Sequence, residues 1–78
     1  MLQNNFNVNK YVFEPVEWTD VASGTITYIG LSGQSDGAQP LWRIKRLFTD
    51  GTVTTIQYPN GDQSLTYVWN ARASYTYS

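Results

Sequence analysis

The side chains best suited to acid–base or metal chemistry in this 78-residue chain are six carboxylates: Glu14, Glu17, Asp20, Asp36, Asp50 and Asp62. The chain has no cysteine and no histidine, which excludes disulfides, imidazole or thiolate metal sites, and catalytic dyads built on either residue. Paired carboxylates can cleave glycosides or hold a hard cation. However, Asp50 and Asp62 occupy turn sequences, and the acids lack the spacing of a calcium-binding loop. We therefore predict no enzymatic activity, no catalytic residue, no metal and no cofactor.

Three cations lie close together in the sequence, namely Arg43, Lys45 and Arg46, directly after Trp42. Basic grooves lined by stacking aromatic side chains bind single-stranded nucleic acid. The hairpin that these residues predict places Trp42 and Tyr58 on the face opposite Arg43 and Lys45, so the rings and the cations would not share a groove. A net charge of −1 adds no general attraction for nucleic acid or an anionic membrane. We predict a solvated cationic strand face that binds neither nucleic acid nor a membrane.

The stretch from Trp42 to Tyr58 predicts the β-hairpin that positions these cations, because Asp50-Gly51 separates two runs of strand-forming residues. A two-residue loop at Asp50-Gly51 would mix polar and apolar residues on both faces. We therefore predict a three-residue loop, Thr49-Asp50-Gly51, with Gly51 left-handed. The resulting apolar face pairs Trp42 with Tyr58 and Ile44 with Ile56, and the polar, cationic face pairs Arg43 with Gln57 and Lys45 with Thr55.

Arg46 is the exception in the basic cluster, since the predicted register puts it on the face of Trp42 and Ile44. A cation in that position can extend its apolar stem over the core, stack on Trp69, or pair with a carboxylate. We interpret Arg46 as a structural residue.

The remaining segments predict a mainly β domain. Residues 24–31 form a strand with Ile26 and Tyr28 on one face, and 32–40 form an exposed loop. Helical spacing favours a short helix over 63–71, although alternation there also fits a strand, and 73–77 close the domain as a strand. We predict a small antiparallel sheet or SH3-like open barrel of four to five strands, with one short helix before the last strand. A sandwich completed by a partner chain is the main alternative.

The N-terminal residues, 1–18, are predicted to form an extended arm, leaving 19–78 as a single β-rich domain. Pro15 bars a central strand, and the first nine residues have too few apolar groups to pack alone. The arm would contact another chain through four aromatic side chains, those of Phe6, Tyr11, Phe13 and Trp18. Deleting residues 1–18 is expected to leave a folded domain that no longer assembles.

The size of the chain also favours assembly, since domains below about 70–80 residues often need disulfides, a metal or oligomerisation to be stable. Twelve aromatic residues could supply core or interface anchors. No apolar run approaches the roughly 20 residues of a membrane span, and the polar start lacks the features of a secretory signal. We expect the chain to be made in a cytosol.

Several motifs together resemble a group of short proteins encoded among the virion genes of tailed bacteriophages. They are W-x-I-K-R at 42–46, T-D-G at 49–51, Q-Y-x-N-G-D at 57–62 and V-W-N-A-R-A-S-x-T-Y-S at 68–78, with Y-I-G at 28–30. The resemblance covers residues 28–78 and brings no catalytic motif. It implies a component of the phage particle, such as a capsid decoration, neck or tail protein.

We accordingly expect a non-enzymatic virion structural protein, assembled in the host cytoplasm and located in the particle, in many copies or as a homo-oligomer. Its partners would be other virion proteins. The alternative is a host- or glycan-binding module at the particle surface, because exposed Trp and Tyr beside Asn and Asp can bind sugars.

Overall fold

The computed structural model describes residues 15–78, which form one open antiparallel sheet of four strands. In chain order the strands are β1 (Val16–Val21), β2 (Ile26–Ser32), β3 (Trp42–Asp50) and β4 (Val53–Gln57), and each pairs with the next. A short 3-10 helix, Trp69–Ser74, follows near the C-terminus. The predicted mainly β class is confirmed, in the form of an open sheet.

The two faces of this sheet differ in what lies against them. Side chains at alternate positions of β2 and β3, including Tyr28, Trp42 and Ile44, point to a covered face. Residues 64–78, here called the C-terminal segment, lie on this face and pack against it through Trp69 and Tyr77. The other face, which none of residues 15–78 covers and which is here called the uncovered face, carries nine side chains from β2, β3 and β4, those of Thr27, Ile29, Leu31, Arg43, Lys45, Leu47, Thr49, Thr54 and Ile56. The buried hydrophobic residues among 15–78 all belong to the covered side.

The β3–β4 hairpin has a different register from the predicted one. Leu47 lies opposite Ile56 and Asp50 lies opposite Val53, which leaves a two-residue loop, Gly51-Thr52. The predicted three-residue loop and the Ile44–Ile56 pair are therefore wrong. The positive φ predicted for Gly51 is confirmed at 67°, because a two-residue turn with glycine first matches the twist of the flanking strands.

The physical reason for the error is that the C-terminal segment, and not β4, fills the covered face. The prediction assumed that Ile56 must face the core. In the observed register Gln57 pairs with Arg46 on the covered face. Because successive strand residues point to opposite faces, Ile56 lies on the uncovered face, where it is 55 % exposed.

Replacing Gly51 by Val should lower the free energy of unfolding by about 2 kcal/mol, because a β-branched residue resists positive φ. Urea unfolding measures the change. The neighbouring variant Thr52→Val is the control, because Thr52 is not among the residues with positive φ. Equal stability of the two variants would contradict the turn geometry.

The C-terminal segment also departs from the prediction. The helix runs over Trp69–Ser74 rather than 63–71, and Leu65 is 50 % exposed. The closing strand is reduced to a single bridge between Pro59 and Tyr77, with hydrogen bonds between Tyr58 and Ser78. These hydrogen bonds hold the backbone of the C-terminal residue against the chain that follows β4. Tertiary contacts favour this conformation, since Trp69 packs against Trp42 and Arg72 pairs with Asp20. Within the segment, the Val68 N–H donates to the Tyr75 hydroxyl oxygen at 2.9 Å.

Three tryptophans form the centre of the covered face. The ring centroids of Trp18 and Trp42 lie 4.6 Å apart, those of Trp42 and Trp69 lie 5.6 Å apart, and Trp18 meets Trp69 edge-on at 6.1 Å. Gly30 lies beneath them on β2, where a Cβ atom would come within 2.6 Å of Trp69 Cζ3 and 2.8 Å of Trp42 Cε3. The absence of a side chain at Gly30 therefore allows the rings to rest on the sheet.

Two arginines complete the covered face. Arg46 has the predicted structural role, but it stacks on Tyr77, with Cζ 4.9 Å from the ring centroid, and donates hydrogen bonds to Gln57. The cation over Trp69 is instead Arg72, at 4.6 Å, which also pairs with Asp20 at 2.9 Å. These contacts connect the C-terminal segment to β1, β3 and β4.

The predicted arm of residues 1–18 overlaps the sheet. Val16, Glu17 and Trp18 pair with β2 as an edge strand, opposite Ser32, Leu31 and Gly30. The prediction that this segment lies outside the domain's own sheet is wrong for residues 16–18. Residues 1–14 lie outside the described residues.

Asp62 gives the fold an acid-sensitive contact. The Ser64 backbone N–H donates to its carboxylate, as do the hydroxyls of Tyr67 and Ser64, and these bonds lower the pKa of Asp62 below its ordinary value of 3.8. A carboxyl whose pKa is depressed in the folded state stabilises that state above its ordinary pKa and loses this contribution as pH falls through the folded value. The stability difference between wild type and Asp62→Asn should therefore shrink below about pH 4 in urea titrations. A difference independent of pH would contradict it.

Candidate functional site

The uncovered face is the candidate site because it exposes apolar side chains beside two cations that have no ion-pair partner among residues 15–78. Ile29, Leu31 and Leu47 are half-buried and Ile56 is exposed, and together they form a strip across β2, β3 and β4. Exposed apolar surface rimmed by polar residues is typical of a contact site. The strip is therefore the part of the described chain best suited to hold a partner.

One end of this face is concave. The depression, here called the basic hollow, has a volume of about 200 Å³ and is lined by seven residues: Glu17, Ile29, Leu31, Arg43, Lys45, Tyr58 and Gln63. β1 supplies Glu17, β2 and β3 supply two lining residues each, and the chain after β4 supplies Tyr58 and Gln63. The sheet register therefore decides which polar groups meet in the hollow.

The corrected register brings Tyr58 into the hollow. Arg46 lies opposite Gln57, so the next pair along the two chains is Lys45 with Tyr58, on the uncovered face. The sequence-based expectation that Tyr58 and the cations lie on opposite faces is wrong. It holds only for Trp42, which is fully buried on the covered face.

The charges in the hollow are unevenly matched. The ion pair found among residues 15–78 joins Arg72 to Asp20 on the covered side, and neither Arg43 nor Lys45 has a carboxylate within 4.0 Å there. Glu17 is the acidic residue that lines the hollow. Two cations with one acid give the hollow a net positive charge, and the planar guanidinium of Arg43 suits a two-bond contact with a carboxylate.

The groups in the hollow are suited to binding. Its lining combines the apolar side chains of Ile29 and Leu31 with two cationic donors, the carboxylate of Glu17, a phenol and an amide. In the part of the chain that the structure describes, no group of three or more acidic residues could hold a metal ion. The arrangement fits an acidic or carboxylate-bearing group next to apolar surface.

The predicted interface residues are only partly placed by the structure. Trp18 packs against Trp42 and Trp69 of its own chain, and Phe6, Tyr11 and Phe13 lie outside the described residues. The three tryptophans share one cluster, so they form no sugar-binding platform on the surface. Glu17 and Gln63 were not predicted as lining residues. The available sequence signal was the alternation of Arg43 and Lys45 with Ile44, which indicates that both cations lie on the face opposite the core.

Residues 15–78 contain no helix long and apolar enough to cross a membrane. Comparison with protein-family models, with curated proteins and with solved structures finds no match to the chain.

Proposed function

We propose that the chain is a non-enzymatic structural protein of a bacteriophage particle, such as a capsid decoration, neck or tail component, that acts by protein–protein contacts. The observation that carries the contact role is the uncovered face, where the apolar strip runs into the basic hollow. The assignment to a phage particle rests on the motifs over residues 28–78 that resemble virion proteins.

The proposed contact uses both parts of the face. A partner would cover Ile29, Leu31 and Leu47 with apolar side chains and place a carboxylate between Arg43 and Lys45. Apolar burial supplies most of the affinity in such contacts, and charge complementarity supplies the orientation and the choice of partner. The partner surface is therefore acidic with an apolar centre.

The particle assignment is tested by following the chain through an infection with the phage that encodes it. Particles banded by density and washed in high salt are analysed by quantitative mass spectrometry. We expect the chain at a fixed copy number relative to the major capsid protein. Its absence from washed, infectious particles would contradict the proposal.

The contact face is tested in the same particles with charge reversal in the hollow. The double variant Arg43→Glu, Lys45→Glu should reduce occupancy at least tenfold, because truncating or reversing charges in a contact costs several kcal/mol. The control Gln39→Glu adds negative charge in the exposed loop between β2 and β3, at a residue that does not line the hollow, and should leave occupancy unchanged. Normal occupancy of the double variant would place the contact elsewhere.

A host- or glycan-binding module of the particle surface is the second candidate. The observation that favours it is the presence of Tyr58, Arg43 and Gln63 in one hollow, because an aromatic ring beside a guanidinium and an amide can hold an acidic sugar. A melting temperature raised by sialic or uronic acids, and lost in the double variant, would support this candidate over the first.

A further inference from the structure

The outer edge of β4 has no neighbour among residues 15–78, since the sheet order is β1-β2-β3-β4. Its sequence, VTTIQ, contains no charge, proline or glycine, and its first four residues are exposed. Sheet edges of monomeric proteins are normally blocked by charges, prolines or bulges, because a bare edge pairs with other strands. β4 has none of these features.

The hydrogen bonds show which backbone groups of this edge are free. The Thr49 N–H donates to the Thr25 carbonyl, so Thr49 faces β2 and its neighbour across the hairpin, Thr54, faces away from β3. The backbone N–H and C=O groups of Ile56, two residues later, also point away from β3. Tyr58, the next in the series, exchanges two hydrogen bonds with Ser78, at 3.1 and 3.0 Å. The same line of outward groups is thus paired at Tyr58, and within residues 15–78 it has no partner at Thr54 and Ile56.

The opposite edge of the sheet is protected. β1 contains Glu17 and Asp20 and begins directly after Pro15. Both features discourage the addition of a strand. A head-to-tail contact between β4 of one copy and β1 of the next is therefore disfavoured, and β4 is the edge that remains for pairing.

We propose that β4 is a self-association edge, at which the β4 strands of two copies pair antiparallel about a twofold axis. A second copy fits this edge because the strand carries no charge, so that two identical strands meet without repulsion. Twofold pairing also closes after two chains and leaves both protected β1 edges outside, which prevents fibre growth. The inference is independent of the proposed function, because purified chain can pair without a particle.

The position of Ser78 fixes the register of the pair. A second strand centred on Thr55 or Ile56 would meet Ser78, which already occupies the edge at Tyr58. Centring the axis on Thr54 places Thr54 opposite Thr54 of the second copy and Ile56 opposite Thr52, clear of the C-terminal segment. Such a contact is smaller than the roughly 1,200–2,000 Å² of stable complexes, so the dimer should be weak and concentration-dependent.

Sedimentation velocity over about 10 µM to 1 mM protein tests the proposal. Wild type should shift from monomer to dimer across this range. Thr54→Pro should remain monomeric, because proline removes the outward donor without breaking the hairpin ladder. The matched control is Thr19→Pro, on the outer side of β1, where the Ala22 N–H bond to Ile26 shows that Thr19 faces away from β2. This control should dimerise as wild type does, and circular dichroism verifies that both variants fold.

Charge pairs at position 54 test the register itself. Thr54→Lys and Thr54→Glu should each be monomeric alone, because like charges would face each other at the axis. An equimolar mixture should form the heterodimer at least tenfold more readily than either variant forms a homodimer. Monomeric wild type at the highest concentration, or dimers of Thr54→Pro, would overturn the proposal, whereas failure of the mixture alone would overturn the Thr54-centred register.

Discussion

Replacing Gly30 by Ala is expected to lower the free energy of unfolding by about 3 kcal/mol, the upper part of the range for overpacked cores. The added Cβ would meet Trp69 Cζ3 at 2.6 Å and Trp42 Cε3 at 2.8 Å. Both rings are nearly or fully buried, at 6 % and 0 % exposure, and press on each other. Neither can move aside without separating the C-terminal segment from the sheet.

Gly24→Ala is the matched control for this experiment, since no atom lies within 4 Å of the Cβ position at Gly24. It should leave stability unchanged or raise it slightly, by restricting the unfolded chain. Urea unfolding followed by tryptophan fluorescence reports both variants, because the tryptophans are the groups displaced. Gly30→Ala with the midpoint of Gly24→Ala would show that the three tryptophans do not rest on Gly30.

Trp18→Ala should lower the free energy of unfolding by about 3 kcal/mol. This is the lower end of the range for loss of a large aromatic side chain, because Trp18 is half-buried. The ring contacts Trp42 at 4.6 Å and Trp69 at 6.1 Å. Deleting residues 1–18 should be at least as damaging, since it also removes Val16 and Glu17 from β1. Thermal unfolding of both proteins measures the effect.

The control for Trp18 is Val21→Ala on the same strand, where the side chain is 71 % exposed and truncation should be nearly neutral. An intermolecular anchor at Trp18 would give the opposite pattern, namely unchanged melting of Trp18→Ala with loss of assembly. That result would support the predicted arm of residues 1–18 and contradict a core role for Trp18.

The sequence by itself determined the fold class and the features that depend on neighbouring residues, namely strand faces and the hairpin turn. Alternation predicted β2 with Ile26 and Tyr28 on one face, and Asp50-Gly51 predicted the hairpin and the positive φ of Gly51. These features depend on residues close together in the chain, where side-chain period and turn chemistry act directly. The opposite orientations of Arg43 and Arg46 followed from the same period.

Only the tertiary structure decided which face of the sheet is covered and by what. The C-terminal segment brings Trp69, Arg72 and Tyr77 onto the sheet through contacts with residues more than 25 positions away, such as Trp42, Asp20 and Tyr28. That cover frees β4 from the core, shifts the hairpin register, and moves Tyr58 beside Lys45. Sequence patterns report whether a side chain prefers burial, but not which distant segment will bury it, and the basic hollow and the open edge of β4 both depend on that choice.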